Sequence, residues 1–398
     1  MNRKMRNIAL FLLLTAVATG STIPGKAQSV HFVAKDDYVY GAMDTQNYIR
    51  LLNDQRVGVV ANQTSIVGDT HLVDTLLASH VMVKRIFTPE HGFRGAADAG
   101  AKISDGRDER TGIEIVSLYG KTKKPTPAML RDIDVMLFDL QDVGVRFYTY
   151  ISTLTYVMEA CAENDIPLIV LDRPNPNGFY IDGPVLKEEN RSFVGMHPVP
   201  VVYGMTIGEY AQMVNGERWM KDKVHCELTV VGIPGYDRNA IYELPVKPSP
   251  NLPNWEAVYL YPTLCFFEGT IVSIGRGTET PFQAYGHPVM RGSYAFTPQS
   301  TTGASKPLLE GQRCHGESLT EYAHDYAFNT NRLQLEWLIE AYQQLSDKGF
   351  FTNYFRLLAG DKQLQRDIEN GKSAASIRAS WEADLDDFKA IRSKYLLY

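Results

Sequence analysis

Four apolar runs that stop on polar residues constrain this chain more than any other feature. Val57-Gly58-Val59-Val60-Ala61 stops at Asn62, Val83 to Phe87 delivers Glu90, Val135 to Phe138 stops at Asp139, and Pro167 to Leu171 stops at Asp172. Continuous rather than alternating apolar runs are the pattern of strands buried on both faces of a parallel sheet. Ile113 to Leu118 and Leu228 to Val231 read as further strands. Between them, Leu72, Leu76 and Leu77 fall at helical spacing, Pro127 suits a first helical turn, and Thr153 to Asn164 and Ile207 to Val214 read as helices. Strands alternating with helices predict an α/β fold, a Rossmann-like doubly wound parallel sheet. No Gly-x-Gly-x-x-Gly follows the first strand and no Walker loop is present, so neither a dinucleotide nor ATP is expected; Gly275-Arg276-Gly277 is too short a match to change that.

A length of 398 residues suggests two domains at roughly 150–200 residues each. The texture changes where Pro245, Pro248, Pro250 and Pro253 punctuate a stretch that reads as an extended crossing. Beyond it, Leu319 to Leu345 and Ile377 to Tyr395 look helical. Ahead of both domains, Arg3, Lys4 and Arg6 precede a short apolar segment from Ile8 to Val17, and small residues at Gly25 and Ala27 suggest cleavage after Ala27. That is a secretory signal, residues 1–27, and it is too short for a stable membrane span. The expectation is an exported protein, with the periplasm as its compartment.

The formal net charge of −6, with no long basic run after the N-terminus, argues against nucleic acid as a partner. Cys161, Cys226, Cys265 and Cys314 are irregularly spaced, so neither a zinc site nor an essential disulfide is expected, and Cys161 reads as a buried apolar residue of its helix. The 22 tyrosines against 4 tryptophans suit either a sugar-binding cleft or an ordinary core.

If the sheet is parallel, its strand ends open on one edge, where ligands bind in such folds. That edge collects Asn62, Glu90 with His91, Asp139 with Gln141 and Asp142, and Asp172 with Arg173. Singly, each has a structural reading: Asp139 as the cap of a turn, Asp172 as a partner of Arg173 or of a backbone amide. Together they suggest a functional cleft. Adjacent Glu90 and His91 do not make the His-Glu-x-x-His spacing of a zinc hydrolase, and no Gly-x-Ser-x-Gly is present. Glycoside hydrolysis needs two carboxyl groups, or one plus a substrate acetamido group, and fits an acid-rich cleft. A non-catalytic cell-wall glycan-binding protein would share these features without requiring Glu90. An esterase or amidase is the weaker alternative, because no activated nucleophile is visible.

Longer segments carry a resemblance. Asn62-Gln63-Thr64-Ser65, Thr88 to Gly95 (TPEHGFRG), Asp139 to Tyr150 (DLQDVGVRFYTY), Asp172 to Pro176 (DRPNP), Glu268-Gly269-Thr270, Gly275 to Thr278 (GRGT) and the closing Lys394 to Tyr398 are similar to the signature segments of the exo-β-N-acetylmuramidases of peptidoglycan recycling. The resemblance covers nearly all of the mature chain. It implies hydrolysis of β-1,4-linked N-acetylmuramic acid from non-reducing ends of glycan or muropeptide-derived disaccharide; from the motifs that are missing, no cofactor or metal is expected. It also implies a Rossmann-like catalytic domain, residues 28–245, and a smaller α+β domain, residues 246–398, with the cleft between them. The family's proposed catalytic glutamate corresponds to Glu90.

Beside that, the residues suggest roles. Glu90 is the candidate general acid, with His91 to orient or tune it. Asp139 or Asp142 is the candidate nucleophile, base or acetamide-orienting group. Arg146 or Arg276 could grip the lactyl carboxylate, since guanidinium binds carboxylate in bidentate fashion; the structural alternative for Arg276 is an ion pair with Glu279. Asn62, Arg94, Gln141, Tyr148, Asp172, Arg173 and Glu268 complete the expected substrate-binding set.

Overall fold

The computed structural model describes residues 31–33, 38–90, 92–93 and 106–398. The signal segment, His91 and Arg94 lie outside the described residues.

Among the described residues seven strands form the main sheet: β1 (Arg56–Ala61), β2 (Met82–Thr88), β3 (Gly106–Arg107), β4 (Glu114–Ser117), β5 (Val135–Asp139), β6 (Leu168–Leu171) and β7 (Leu228–Val231). Their order is β7-β6-β5-β1-β2-β4-β3, parallel throughout except for the β3–β4 pairing. The fold is therefore α/β, dominated by a parallel sheet. From β1 the chain builds outward through β2 and β4, then returns to lay β5 against the other side of β1. The direction of winding reverses between β1 and β5, which places a crevice beyond their carboxyl ends.

The apolar runs are continuous because both faces of the sheet are covered. Met136 and Phe138 point into one core with the helix Tyr150–Glu163, while Val135 and Leu137 point into another with Leu72, Val73 and Leu76 of the helix Leu72–Ala78. The predicted strands and helices of this half match the observed ones to within a few residues; the helix expected from Thr153 begins at Tyr150.

The C-terminal part departs further from expectation. A helix not foreseen from the sequence, Trp255–Leu264, follows the proline-rich crossing and is capped by Asn254, whose side chain accepts from Ala257 N at 3.1 Å. It tolerates Pro262 in its last turn because the Val258 carbonyl that proline cannot satisfy accepts from Asn177 Nδ2 at 3.4 Å. The segment read as one helix from Leu319 to Leu345 is two, Tyr322–Asn329 and Leu335–Leu345. Between them Asn331 is left-handed, with φ of 47°, and Leu333 N and Gln334 N donate to Asp182 and Thr263 rather than to a helical turn. The final helical stretch divides likewise into Ala374–Ala379 and Glu382–Arg392. A small antiparallel sheet, Ala284–His287, Tyr294–Phe296 and Cys314–Ser318, has the last of these in its centre. The closing residues return to the main sheet, where the Tyr398 hydroxyl donates to Asp172 at 2.8 Å.

All four cysteines are buried thiols. Among the described residues, no helix is long and apolar enough to cross a membrane, and no group of His, Cys, Asp or Glu is arranged to hold a metal ion.

Candidate active site

Strand β2 ends at Thr88, and the chain turns at once: Gly92 N–H donates to Pro89 O at 3.2 Å. Gly92 has φ of 75°, a left-handed value that glycine adopts without strain. This turn carries Glu90 off the strand end into a cavity of about 360 Å³, within the range typical of ligand pockets. Thr149 Oγ1 lies 3.4 Å from Glu90 Oε2. The Tyr119 hydroxyl, from the loop after β4, also bonds to Glu90; burial first, and then the charge of Glu90, push that phenol upward from its ordinary value.

The loop between β5 and the helix Tyr150–Glu163 supplies Phe147, Tyr148, Thr149 and Tyr150 to the cavity wall. Arg146 pins this loop from behind. Wholly buried, its guanidinium donates to the carbonyls of Pro184, Val199, Leu358 and Ala359 at 2.7–2.9 Å. Asn62 also acts at one remove: its Nδ2 donates to the Tyr150 hydroxyl at 2.7 Å while its Oδ1 accepts from Thr64 N and Oγ1. Tyr148 donates its hydroxyl to Pro248 O at 2.9 Å, tying the loop to the crossing.

The opposite wall comes from beyond the crossing. Tyr261 packs edge-on against Phe147 and Phe282, with ring centroids 5.5 and 4.9 Å apart. Glu268 and Arg276 face the cavity as an ion pair, Oε1 to Nη2 at 2.5 Å, with the guanidinium 5.1 Å from the Phe282 ring centroid. Tyr354 completes that side. Arg276 thus pairs with Glu268 and not with Glu279, the partner its structural alternative named.

The other strand-end residues do not reach the cavity. Asp139 is fully buried and held by Arg173, with Nε to Oδ1 at 2.5 Å and Nη2 to Oδ2 at 2.8 Å; Arg173 in turn lies over the Tyr40 ring. Asp142 accepts from the Tyr203 hydroxyl and from Gly144 N, and burial pushes its carboxyl up to about 7. Gly144 must be glycine there, because a Cβ would fall 2.0 Å from Asn175 Oδ1. Gln141 bonds the carbonyls of Asp142 and Pro174. Asp172 accepts from Thr206 Oγ1, Gly208 N and Tyr398, and burial pushes it up to about 6. Asp139, Asp142, Gln141, Arg146, Asp172 and Arg173 therefore bind other parts of the chain, and the second carboxylate on the cavity wall is Glu268. Phe93, two residues beyond His91, packs on the His71 ring in the core on the other face of the sheet.

Sequence reasoning missed Tyr119, Tyr261, Phe282 and Tyr354. Tyr119 follows β4 and could have been found by treating that strand end like the others. The remaining three carry no local signal.

A carboxyl group flanked by hydroxyls, aromatic walls and a fixed cation suit a sugar bearing its own carboxylate. Sequence comparison gives the same class. The chain belongs to the exo-β-N-acetylmuramidase NamZ family, whose N-terminal model matches residues 57–256 and whose C-terminal model matches residues 259–398. It is 38% identical over 418 aligned positions to the peptidoglycan β-N-acetylmuramidase NamZ of Bacillus subtilis, covering 98% of this chain and 99% of that protein. Two crystal structures of DUF1343 family proteins from Bacteroides fragilis share the fold. One has a TM-score of 0.83 at 44% identity, covering 91% of this chain and 99% of the other. The second has a TM-score of 0.77 at 29% identity, covering 90% and 98%.

Proposed function

We propose that this chain is an exo-β-1,4-N-acetylmuramidase, a glycoside hydrolase releasing N-acetylmuramic acid from non-reducing ends of peptidoglycan fragments. The observation that carries this reading is the placement of Glu90, at a strand end beside Tyr119 and Thr149, in a cavity walled by both family-matched segments. In this reading Glu90 protonates the glycosidic oxygen as the bond to the anomeric carbon breaks. Asp139 and Asp142 are engaged elsewhere and Glu268 is paired with Arg276. The attacking group is then the substrate's own acetamido oxygen, and water opens the cyclic intermediate with Glu90 taking back a proton. Arg276 meets the lactyl carboxylate, and the tyrosine-rich walls receive the sugar faces.

The architecture we assign is a Rossmann-like catalytic domain over residues 28–245 and an auxiliary domain over 246–398 that completes the cleft. A signal peptide over residues 1–27 directs the protein to the periplasm. The reading is tested by the turnover of a muramide with a poorly activated leaving group, by wild type and by Glu90→Gln. Release of free N-acetylmuramic acid by wild type and a fall of at least ~100-fold in the variant are expected. A wild type that binds the sugar but releases none would overturn it.

A further inference from the structure

A second cavity, of about 420 Å³, adjoins the first across the Phe193 ring, which lines both. Lys123, Arg191 and Lys221 stand on its wall. The acid beside them, Glu159, is buried and already accepts from Lys124 Nζ at 3.2 Å and from the Lys221 backbone N at 2.9 Å. Neither Lys123 nor Lys221 forms an ion pair with any described residue, and the partner of Arg191, Glu188, is 3.6 Å away with 80% of its side chain exposed. The Lys123 ammonium sits 4.3 Å from the centroid of the Phe193 ring, and Phe193 stacks on Tyr156 at 6.1 Å with an interplanar angle of 12°.

A single unpaired lysine in water is an ordinary solvated residue. Two lysines without an ion-pair partner among the described residues and an arginine held only by an exposed glutamate, gathered in one concave wall with a flat aromatic pair at its border, form a site complementary to an anion joined to a sugar. An exo-acting enzyme has no substrate beyond its terminal sugar on the non-reducing side. A cavity that adjoins the catalytic one across Phe193 is therefore placed to receive the aglycone. In a glycan alternating N-acetylglucosamine with N-acetylmuramic acid, the nearest carboxylate past the scissile bond belongs to the second sugar.

We propose that this cavity is an aglycone subsite, in which Lys123, Arg191 and Lys221 bind the carboxylate carried on the lactyl group of the second sugar beyond the scissile bond. The Phe193–Tyr156 stack supports the sugar between. The inference rests on the glycosidase reading above. The carboxylate is either the lactyl group's own or one on a stem peptide attached to it.

The test compares wild type with the Arg191→Gln/Lys221→Gln double variant on four substrates. These are a chromogenic muramide ending at the scissile bond, a glycan tetrasaccharide with free lactyl carboxylates, the same tetrasaccharide with its internal lactyl group amidated, and one bearing a stem peptide there. Wild type is expected to show a kcat/KM roughly 5- to 10-fold higher on the free tetrasaccharide than on the amidated one, from two or three partly exposed charge pairs. The double variant loses that advantage and keeps its rate on the chromogenic muramide. A peptide-bearing substrate as good as the free one assigns the site to either carboxylate, and a poor one restricts it to the lactyl group itself. Equal rates on free and amidated tetrasaccharides, or equal losses by the variant on the short and long substrates, would overturn the proposal. Calorimetric binding of the free and amidated tetrasaccharides to wild type separates the two failures: an inactive wild type sinks the glycosidase reading, whereas equal affinities for the two tetrasaccharides sink the carboxylate site.

Discussion

The Arg276 guanidinium meets the Glu268 carboxylate at 2.5 Å on the wall of the cavity that Glu90 enters, and its buried Nε has no hydrogen-bond partner among the described residues. A guanidinium carries five N–H donors, and this pair leaves several of them for a ligand. Some 23% of each side chain remains exposed, so the pair is accessible as well as fixed. Replacing Arg276 by Gln keeps a donor but removes the charge. The expected result is a rise in KM for the muramide of about 10–100-fold, corresponding to one charged hydrogen bond or bidentate contact, with little change for an N-acetylglucosaminide lacking the lactyl group. Equal losses on both sugars would show that Arg276 acts on the wall's architecture and not on the carboxylate.

Tyr119 is bonded to Glu90 through its hydroxyl, and desolvation keeps that phenol protonated and donating. Tyr119→Phe removes the donor while keeping the ring. We expect kcat to fall by about 10-fold, of the order of one positioned hydrogen bond, while KM stays within about twofold. A KM effect without a kcat effect would assign the tyrosine to sugar binding instead.

Asp142 gives a stability prediction with a definite sign. Its carboxyl is raised by burial from 3.8 to about 7. Between those values the unfolded chain has released the proton and the folded chain retains it, so stability falls as pH rises through this window and levels off above it. Asp172, raised by burial to about 6, acts in the same direction. His197, lowered to about 3 chiefly by burial and then by the charge of Arg191, acts oppositely: its contribution is full above 6.5 and is lost as pH falls toward 3. Asp142→Asn isolates the first effect. The difference in Tm between variant and wild type should grow in the variant's favour from pH 4 to pH 7, read by calorimetry across that range. A constant difference would mean that Asp142 is ionised in the folded protein.

The strand ends explain how much of this was legible in the sequence. Strand β5 and its neighbours were readable because two packed faces demand unbroken apolar runs, and Glu90 was readable because one such run delivers it to the edge where clefts form. The same logic placed Asp139, Asp142 and Asp172 in the cleft, and there it failed. A polar residue at a strand end can face a ligand or tie its own loop to the next, and the apolar pattern is identical in the two cases. Asp139 binds Arg173 from the adjacent strand end, and Asp172 binds a helix start and the chain's last residue, Tyr398. Such partners lie 34 to 226 residues away and leave no periodic trace. The far wall was legible only in part: Glu268 and Arg276 were in the expected substrate-binding set, whereas Tyr261, Phe282 and Tyr354 were not. Glu268 and Arg276 are close in sequence, but their position opposite Glu90 depends on a helix containing Pro262, whose freed carbonyl is satisfied by Asn177 from the other half of the chain.

Arg146 shows the same contrast most clearly. Sequence offered it as a grip for the substrate carboxylate, yet it is wholly buried and its two terminal nitrogens each reach two carbonyls. Burial pushes its guanidinium down to about 10, which still leaves it charged at neutral pH. The carbonyls of Leu358 and Ala359 belong to the helix Phe355–Ala359 just after Tyr354, whereas Phe147 to Tyr150 follow Arg146 directly. One side chain thus fixes two opposite walls of the cavity relative to each other. Arg146→Met would leave up to four buried acceptors short of a donor, at about 1–3 kcal/mol for each one left unsatisfied. A loss of at least about 3 kcal/mol in unfolding free energy is expected in denaturant titration. Arg146→Lys, able to reach only part of the set, should recover some of it. In protein that remains folded at low temperature, the ratio of muramide to N-acetylglucosaminide turnover should match wild type. A selective loss on the muramide, with stability intact, would return Arg146 to the substrate-binding role and require the loop to open.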